Sequence, residues 1–168
     1  LVVVDKPGGI TSHGVVGRVR RLVGTRKVGH AGTLDPMATG VLPMALGEAT
    51  KTVSYLMDSK KTYQFRVRWG EARNTDDAEG AVTATSDVRP DGDAIRAALG
   101  EFTGQIEQVP PDFSAIKVGG RRAFRLARAK VPVHFEARIV QVVTIELVDL
   151  PDADHAVFEV RCGKGTYM

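Results

Sequence analysis

One cysteine, Cys162, is all that this chain of 168 residues contains. No intrachain disulfide can form from it and no cysteine cluster can hold a metal, so a reducing, cytoplasmic setting is expected. Long apolar runs are also missing, and none approaches the ~20 residues that a membrane span needs. The four histidines are scattered, and nothing in their spacing forms a metal-ligand set. There is neither a G-x-x-x-x-G-K-[ST] phosphate loop nor a G-x-G-x-x-G turn after a strand. Repeats, low-complexity tracts and linkers are absent. Disulfide scaffolds, zinc modules, nucleotide-binding loops and membrane spans are thereby excluded as starting points.

What remains is the balance of a soluble globular protein, 43% hydrophobic and 26% charged, long enough to bury a core as one domain. The chain begins within the apolar run Leu1-Val2-Val3-Val4 with no basic segment before it. That pattern reads as a first strand rather than a signal peptide. It lacks an initiator Met and stops at Met168, as a piece of a longer reading frame would.

The net charge of +3 is unevenly spread. Lys and Arg number 12 against 5 Asp and Glu in residues 1–75, and 2 against 9 in residues 76–112. They number 7 against 1 in residues 113–138 and 2 against 5 in residues 139–168. Each basic block taken alone reads as solvated surface. Two of them on one chain of pI 9.2 suit a polyanionic partner.

The turn Asp5-Lys6-Pro7-Gly8-Gly9 ends the first strand. Thr11 or Ser12 then caps a helix with an apolar stripe of Val15, Val19, Leu22 and Val23, closed by Gly24. Arg18, Arg20 and Arg21 fall off that stripe. Residues 25–40 hold three glycines and a proline between the helix and the apolar strand at residues 41–46, so no regular helix fits them. A further helix is expected on the stripe Ala49, Val53, Leu56 and Met57. Residues 62–69 alternate, with Tyr63, Phe65, Val67 and Trp69 on one face, as a half-buried strand does. A short strand near Val82 and a helix capped near Asp91 or Asp93 come next. Residues 105–111 are extended, residues 114–130 form a basic hairpin and helix, and two strands close the chain at residues 139–150 and 156–162. Without strict βαβ order, the expected class is α+β with a mixed, mainly antiparallel sheet and flanking helices.

Asp35 stands out on the loop. Pro36 biases it towards extended backbone. Leu34 and Met37 would partly desolvate its carboxylate, making it a better nucleophile or base. An ordinary turn-forming role is the plainer alternative. His30 shares the loop and reads first as a hydrogen-bonding residue. Tyr63 serves either the core or a base-stacking platform. Tyr167 follows a tight turn, Gly163-Lys164-Gly165-Thr166.

Taken together, several motifs resemble the TruB family of tRNA pseudouridine-55 synthases. Gly29-His-Ala-Gly-Thr-Leu-Asp-Pro-Met-Ala-Thr-Gly-Val-Leu-Pro43 is similar to the family's segment around its nucleophilic aspartate. Asp5-Lys6-Pro7-Gly8 with Thr11-Ser12, Gly47-Glu-Ala-Thr-Lys51 and Lys61-Thr-Tyr63 match further family segments in order. So do Asp76-Asp77-Ala78-Glu79-Gly80, residues 110–128 and Cys162-Gly-Lys-Gly-Thr-Tyr167.

The resemblance implies the N-terminal part of a pseudouridine synthase catalytic domain over residues 1–168. It implies a thumb-like insertion near residues 113–130, and no C-terminal PUA domain on this chain. It implies an isomerase without cofactor or metal, acting as a monomer on the T-arm of tRNA with no obligatory protein partner. Asp35 would be the nucleophile, attacking either the ribose C1′ or the base. His30 would occupy the space the base vacates or support the flipped conformation of the uridine. Tyr63 would stack on the flipped base, and Tyr167 would line the pocket. Arg18, Arg20 and Arg21, with Arg121, Arg122, Arg125, Arg128 and Lys130, would grip phosphates. In the family pattern, an arginine that pairs with the aspartate comes after the position of Met168. Two alternatives stay open: a guide-RNA-dependent synthase of ribosomal RNA, and a non-catalytic RNA-binding or RNA-folding module.

Overall fold

The computed structural model describes residues 1–114, 116–129 and 131–168. The chain divides into two compact units, Leu1–Ser59 and Lys60–Met168.

In the first unit, β1 (Val2–Lys6) is followed by α1 (Ser12–Val23), β2 (Val28–His30) and β3 (Gly40–Leu46). The strand order is β1-β3-β2, antiparallel throughout. The ends of α1 are set by side-chain chemistry: the Thr11 hydroxyl accepts from Gly14 N at 2.9 Å, and Gly24 closes the helix in the left-handed conformation. Val15 and Val16 of α1 bury themselves against Val28, Leu42 and Met44 of the sheet, a burial worth roughly 1.5–3 kcal/mol per large aliphatic side chain.

The expected stripe is only half right. Val16 is in the core, whereas Leu22 is 84% exposed and Val23 is also exposed. The last helical turn extends past the small apolar cluster that α1 covers, and a stripe read from spacing does not show where its partner surface ends. The expected second helix also differs. Residues Gly47–Thr52 form a 3₁₀ helix and only α2 (Val53–Met57) is α-helical, with no fully buried residue in either.

The second unit is built on a four-stranded sheet. Its strands are β4 (Lys61–Arg68), β7 (Gly104–Gln108), β10 (Arg138–Asp152) and β11 (His155–Cys162), in the order β4-β11-β10-β7. Between them in sequence lie the hairpin β5 (Glu71–Arg73) and β6 (Val82–Thr85), then α3 (Gly92–Ala98). The hairpin β8 (Lys117–Val118) and β9 (Arg121–Arg122) leads into α4 (Ala123–Arg128). Asp91 caps α3 through its side chain. The alternation expected at residues 62–69 is present: Tyr63, Phe65 and Val67 are half-buried, while Thr62, Gln64, Arg66 and Arg68 are exposed. Phe65 stacks on Phe158 of β11, ring centroids 5.5 Å apart. The α+β class with antiparallel sheets is borne out, and every pairing among the described residues is antiparallel.

Candidate active site

The segment from Ala31 to Thr39 leaves the first sheet because of a proline. The β2–β3 ladder runs from Val28↔Leu46 to His30↔Met44, and the next pair would be Ala31 with Pro43. Ala31 N donates to Pro43 O at 2.9 Å, but Pro43 has no N–H to return the bond. Pairing stops there and the chain departs from the sheet. Gly32 and Gly40 bracket the excursion with φ of 127° and 116°, values that side chains with a Cβ rarely adopt.

Although irregular, this segment is fastened at several points. Ser12 Oγ donates to Leu34 O and accepts from Leu34 N, both at 2.9 Å. Lys6 is fully buried; its Nζ donates to Pro7 O at 3.0 Å, Ile10 O at 2.8 Å and Pro36 O at 3.2 Å. Gly9 N also donates to Pro36 O, at 2.8 Å, and Ala38 N to Asp35 O at 3.1 Å. The Leu34 side chain packs against the core under α1. Asp35 is thus exposed, with a fixed residue on either side. Bonds to the residues on both sides restrain the Asp35 backbone and so where it presents its side chain. His30 Nδ1 lies 2.6 Å from Gly32 O, which orients the imidazole and leaves Nε2 as the ring's other polar atom. Neither Lys6 nor Ser12 stands out individually in the sequence as a site residue. The signals were a lysine ending an apolar strand and two adjacent cap residues where one suffices.

In the second unit, Tyr63 lies on β4 beside Val142, Val160 and Cys162. Burial, reinforced by Cys162, pushes its phenol above the usual value of 10.0. The hydroxyl is therefore neutral at ordinary pH, suited to donating a hydrogen bond rather than to acting as a base. Tyr167 is held by its backbone: Tyr167 N donates to Gln108 Oε1 and Gln108 Nε2 donates to Tyr167 O, both at 2.8 Å. Gln108 belongs to β7, the opposite edge of the sheet from β4. Three interstrand steps separate those edges, about 14 Å, so Tyr63 is carried on one edge strand while Tyr167, outside any strand, is tethered to the other.

Arg18, Arg20 and Arg21 are exposed on α1. Arg20 donates to Val28 O at 3.2 Å. Arg20 and Arg21 also sit in the last turn, where cations suit the helix dipole. With Gly24, Thr25 and Arg26 they line a surface depression of about 480 Å³. Arg121, Arg122, Arg125 and Arg128 are exposed on β9 and α4, and Arg128 lies over the Phe124 ring at 5.6 Å. Lys130 lies outside the described residues. Some other cations are matched by carboxylates, with Glu48 holding Lys27 and Lys51, and Glu71 holding Arg68 and Arg73. Among the described residues, Arg18, Arg20, Arg21, Arg26, Arg121, Arg125 and Arg128 have no such ion pair. No group of three metal-binding side chains is found among the described residues, and no helix among them is long and apolar enough to cross a membrane.

A family model described as TruB family pseudouridylate synthase (N terminal domain) matches residues 20–168. The chain belongs to the TruB family of pseudouridylate synthases. A tRNA pseudouridine synthase B from Bradyrhizobium diazoefficiens is 58% identical over 167 residues, covering 99% of this chain and 48% of the relative. One from Gluconacetobacter diazotrophicus is 59% identical over 167 residues, covering 99% and 55% respectively. The chain therefore spans about half the length of the curated relatives it matches. Among solved structures, it is similar to a chain of a Cbf5-Nop10-Gar1 complex, with TM-score 0.72 and 32% identity over 99% of this chain and 40% of that one. A chain of an H/ACA RNP bound to a substrate RNA containing 2'-deoxyuridine gives TM-score 0.67 and 28% identity, over 98% and 38%. In this TruB chain, the stretch that resembles the family's aspartate signature is the fastened loop that carries Asp35, with its first residues in β2 and its last in β3.

Proposed function

We propose that the protein carrying this chain converts a uridine in the T-loop of tRNA, at position 55, to pseudouridine. Asp35 is the nucleophile, at the ribose C1′ or at the base. Asp35 forms a bond as the N1–C1′ bond breaks, the detached uracil turns, and that bond to Asp35 breaks again as C5 bonds to C1′; the C5 proton passes to water and N1 takes a proton from water. Atoms balance without oxidant, reductant or cofactor. The uridine sits in folded RNA, so it leaves its stack before the chemistry begins. Tyr63 stacks on the flipped base and offers it a neutral hydroxyl, His30 fills the space the base vacates or supports the flipped conformation, and Tyr167 lines the pocket. Arg18, Arg20 and Arg21, with Arg121, Arg122, Arg125, Arg128 and Lys130, grip phosphates, which position the RNA without reading its sequence. Residues 113–130 act as a thumb on the T-arm. The protein works as a cytoplasmic monomer with no obligatory protein partner.

The observation that carries this reading is the exposed Asp35 between two fastened residues, Leu34 and Pro36. The chain in which it lies is 58–59% identical to two tRNA pseudouridine synthase B proteins. The structural neighbours supply a second reading, guide-RNA-dependent modification, because one of them is an H/ACA RNP. One experiment separates the two. Full-length protein is incubated with unmodified tRNA transcript, without guide RNA or added protein, and pseudouridine is mapped by nucleotide. Conversion confined to position 55 is the expected result. Conversion that needs a guide RNA supports the second reading, and tight tRNA binding without conversion returns the protein to a non-catalytic binding module.

A further inference from the structure

Ser12 is the first residue of α1, and its hydroxyl does not cap the helix. That task belongs to Thr11, whose side chain accepts from Gly14 N. Ser12 is 2% exposed. Its hydroxyl reaches residue 34 instead, where one oxygen serves both backbone groups of Leu34, as acceptor from N and donor to O at 2.9 Å each. A strand partner would satisfy a residue in the same two-way fashion, but the segment has already left the sheet at Pro43. The hydroxyl substitutes for that missing strand at the residue before Asp35. A hydroxyl is suited to this because it donates and accepts through the same atom. The other neighbour, Pro36, is held separately by Lys6 and Gly9.

We propose that Ser12 is a positioning residue for catalysis: its hydroxyl fixes the peptide groups of Leu34 and so aims the Asp35 carboxylate. This rests on the role proposed for Asp35. Two independent holds, one on each side, restrict the nucleophile's backbone more than either does alone. Removing the hydroxyl frees the leading side only. The loop stays attached through Pro36, so RNA still binds while the carboxylate spends less time in the attacking geometry. Small displacements of a reacting group carry large rate penalties, ~10²-fold for about 1 Å.

The test compares full-length wild type with Ser12→Ala. Three quantities are read: single-turnover pseudouridine formation at saturating enzyme, T-arm affinity, and amide exchange at Leu34 relative to Val15, Val16 and the β1–β3 pairs. In the variant, the single-turnover rate should fall by about tenfold or more with affinity within about twofold of wild type. Leu34 exchange should accelerate while the helix and sheet amides keep their protection. An unchanged rate overturns the proposal. So does a loss accompanied by general loss of protection, because Ser12 would then be an ordinary structural residue. Should Ser12→Ala fail to fold, Ser12→Cys keeps the side chain's shape but hydrogen-bonds weakly, and the same readouts apply to it. Wild-type protein that makes no pseudouridine overturns the proposed activity instead; the Leu34 anchor is then judged by exchange alone, and unchanged exchange removes it.

Discussion

Two of the regions that carry candidate functional groups are built in opposite ways. The segment from Ala31 to Thr39 has no regular secondary structure, yet bonds to Pro43, Ser12, Lys6 and Gly9 fix it along its length. The region of β8, β9 and α4 is regular but thinly supported. Its strands are two residues long, and its apolar cluster consists of Ala123, Leu126 and Val133, with Phe135 packed against them. Secondary structure is therefore a poor guide to rigidity here. Fixity follows from hydrogen bonds and burial that reach across the sequence. The difference suits the proposed roles. A nucleophile gains from a fixed mount, whereas a basic surface that meets a phosphate backbone needs charge more than fixed geometry.

The largest expected effect breaks the fixed side. Lys6→Met keeps most of the side-chain volume but removes the ammonium that serves three carbonyl oxygens. Pro7 O and Ile10 O lose the donor they share, and the Pro36 anchor is halved. Leaving such groups unsatisfied costs ~1–3 kcal/mol each, so chemical denaturation should show a loss of about 2–4 kcal/mol, concentrated in residues 1–59. A loss below about 0.5 kcal/mol, the range of ordinary surface changes, would show that the clamp contributes little.

The next effect probes the loose side. Reversing two unpaired charges, Arg121→Glu with Arg125→Glu, should weaken binding to whole tRNA and to an isolated T-arm alike. It should flatten the log–log salt dependence by roughly 0.7–0.9 for each phosphate no longer neutralised. Folding should change by no more than about 0.5 kcal/mol, because both side chains are exposed. Parallel salt slopes for variant and wild type would make this block a solvated face. A collapsed melting transition would make it structural.

The smallest effect concerns pH and belongs to the four-stranded sheet rather than to either region. Burial raises both the Cys162 thiol, opposed by Thr166 and Lys61, and the Tyr63 phenol. In the unfolded chain these groups ionise from their ordinary values of 9.0 and 10.0, before they do so in the folded one. Their contribution to stability is therefore complete below pH 9.0 and declines as pH rises through 9.0 and then 10.0. Melting temperature recorded from pH 7 to 11 should fall earlier in wild type than in Cys162→Ala. Superimposable curves would remove the thiol from the account.

Much of the scaffold was legible in the residues themselves because its signals are local. Thr11 and Gly24 mark the ends of α1, Asp91 marks the start of α3, and the alternation from Thr62 to Trp69 marks β4. The loop position of Asp35 was equally legible, since glycines and a proline exclude regular helix around it, but the expected partial desolvation by Leu34 and Met37 is not found: Asp35 and Met37 are exposed, and Leu34 turns into the core instead. The rigidity of the loop was not legible. The Pro43 stop, the Lys6 clamp and the Ser12 anchor each join residues far apart in sequence, and no periodicity encodes such a pairing. The failed part of the α1 stripe has the same origin. Leu22 and Val23 fit a helical face, but whether that face is covered depends on how far a sheet of short strands extends beneath it. The 3₁₀ turn at Gly47–Thr52 likewise replaces a helix that spacing alone had suggested.

The most direct test is a single-turnover comparison of Asp35→Asn with wild type in the full-length protein, on T-arm RNA tritiated at uridine C5. Tritium release reports the bond change, because the C5 hydrogen leaves only when C5 takes the glycosidic bond. Retained RNA binding within about twofold, together with a loss of release of roughly 10³-fold or more, is the expected outcome. It would place the carboxylate at the reacting atoms. Tritium release by the Asn variant near the wild-type rate would contradict the assignment and leave the fastened loop without its proposed purpose.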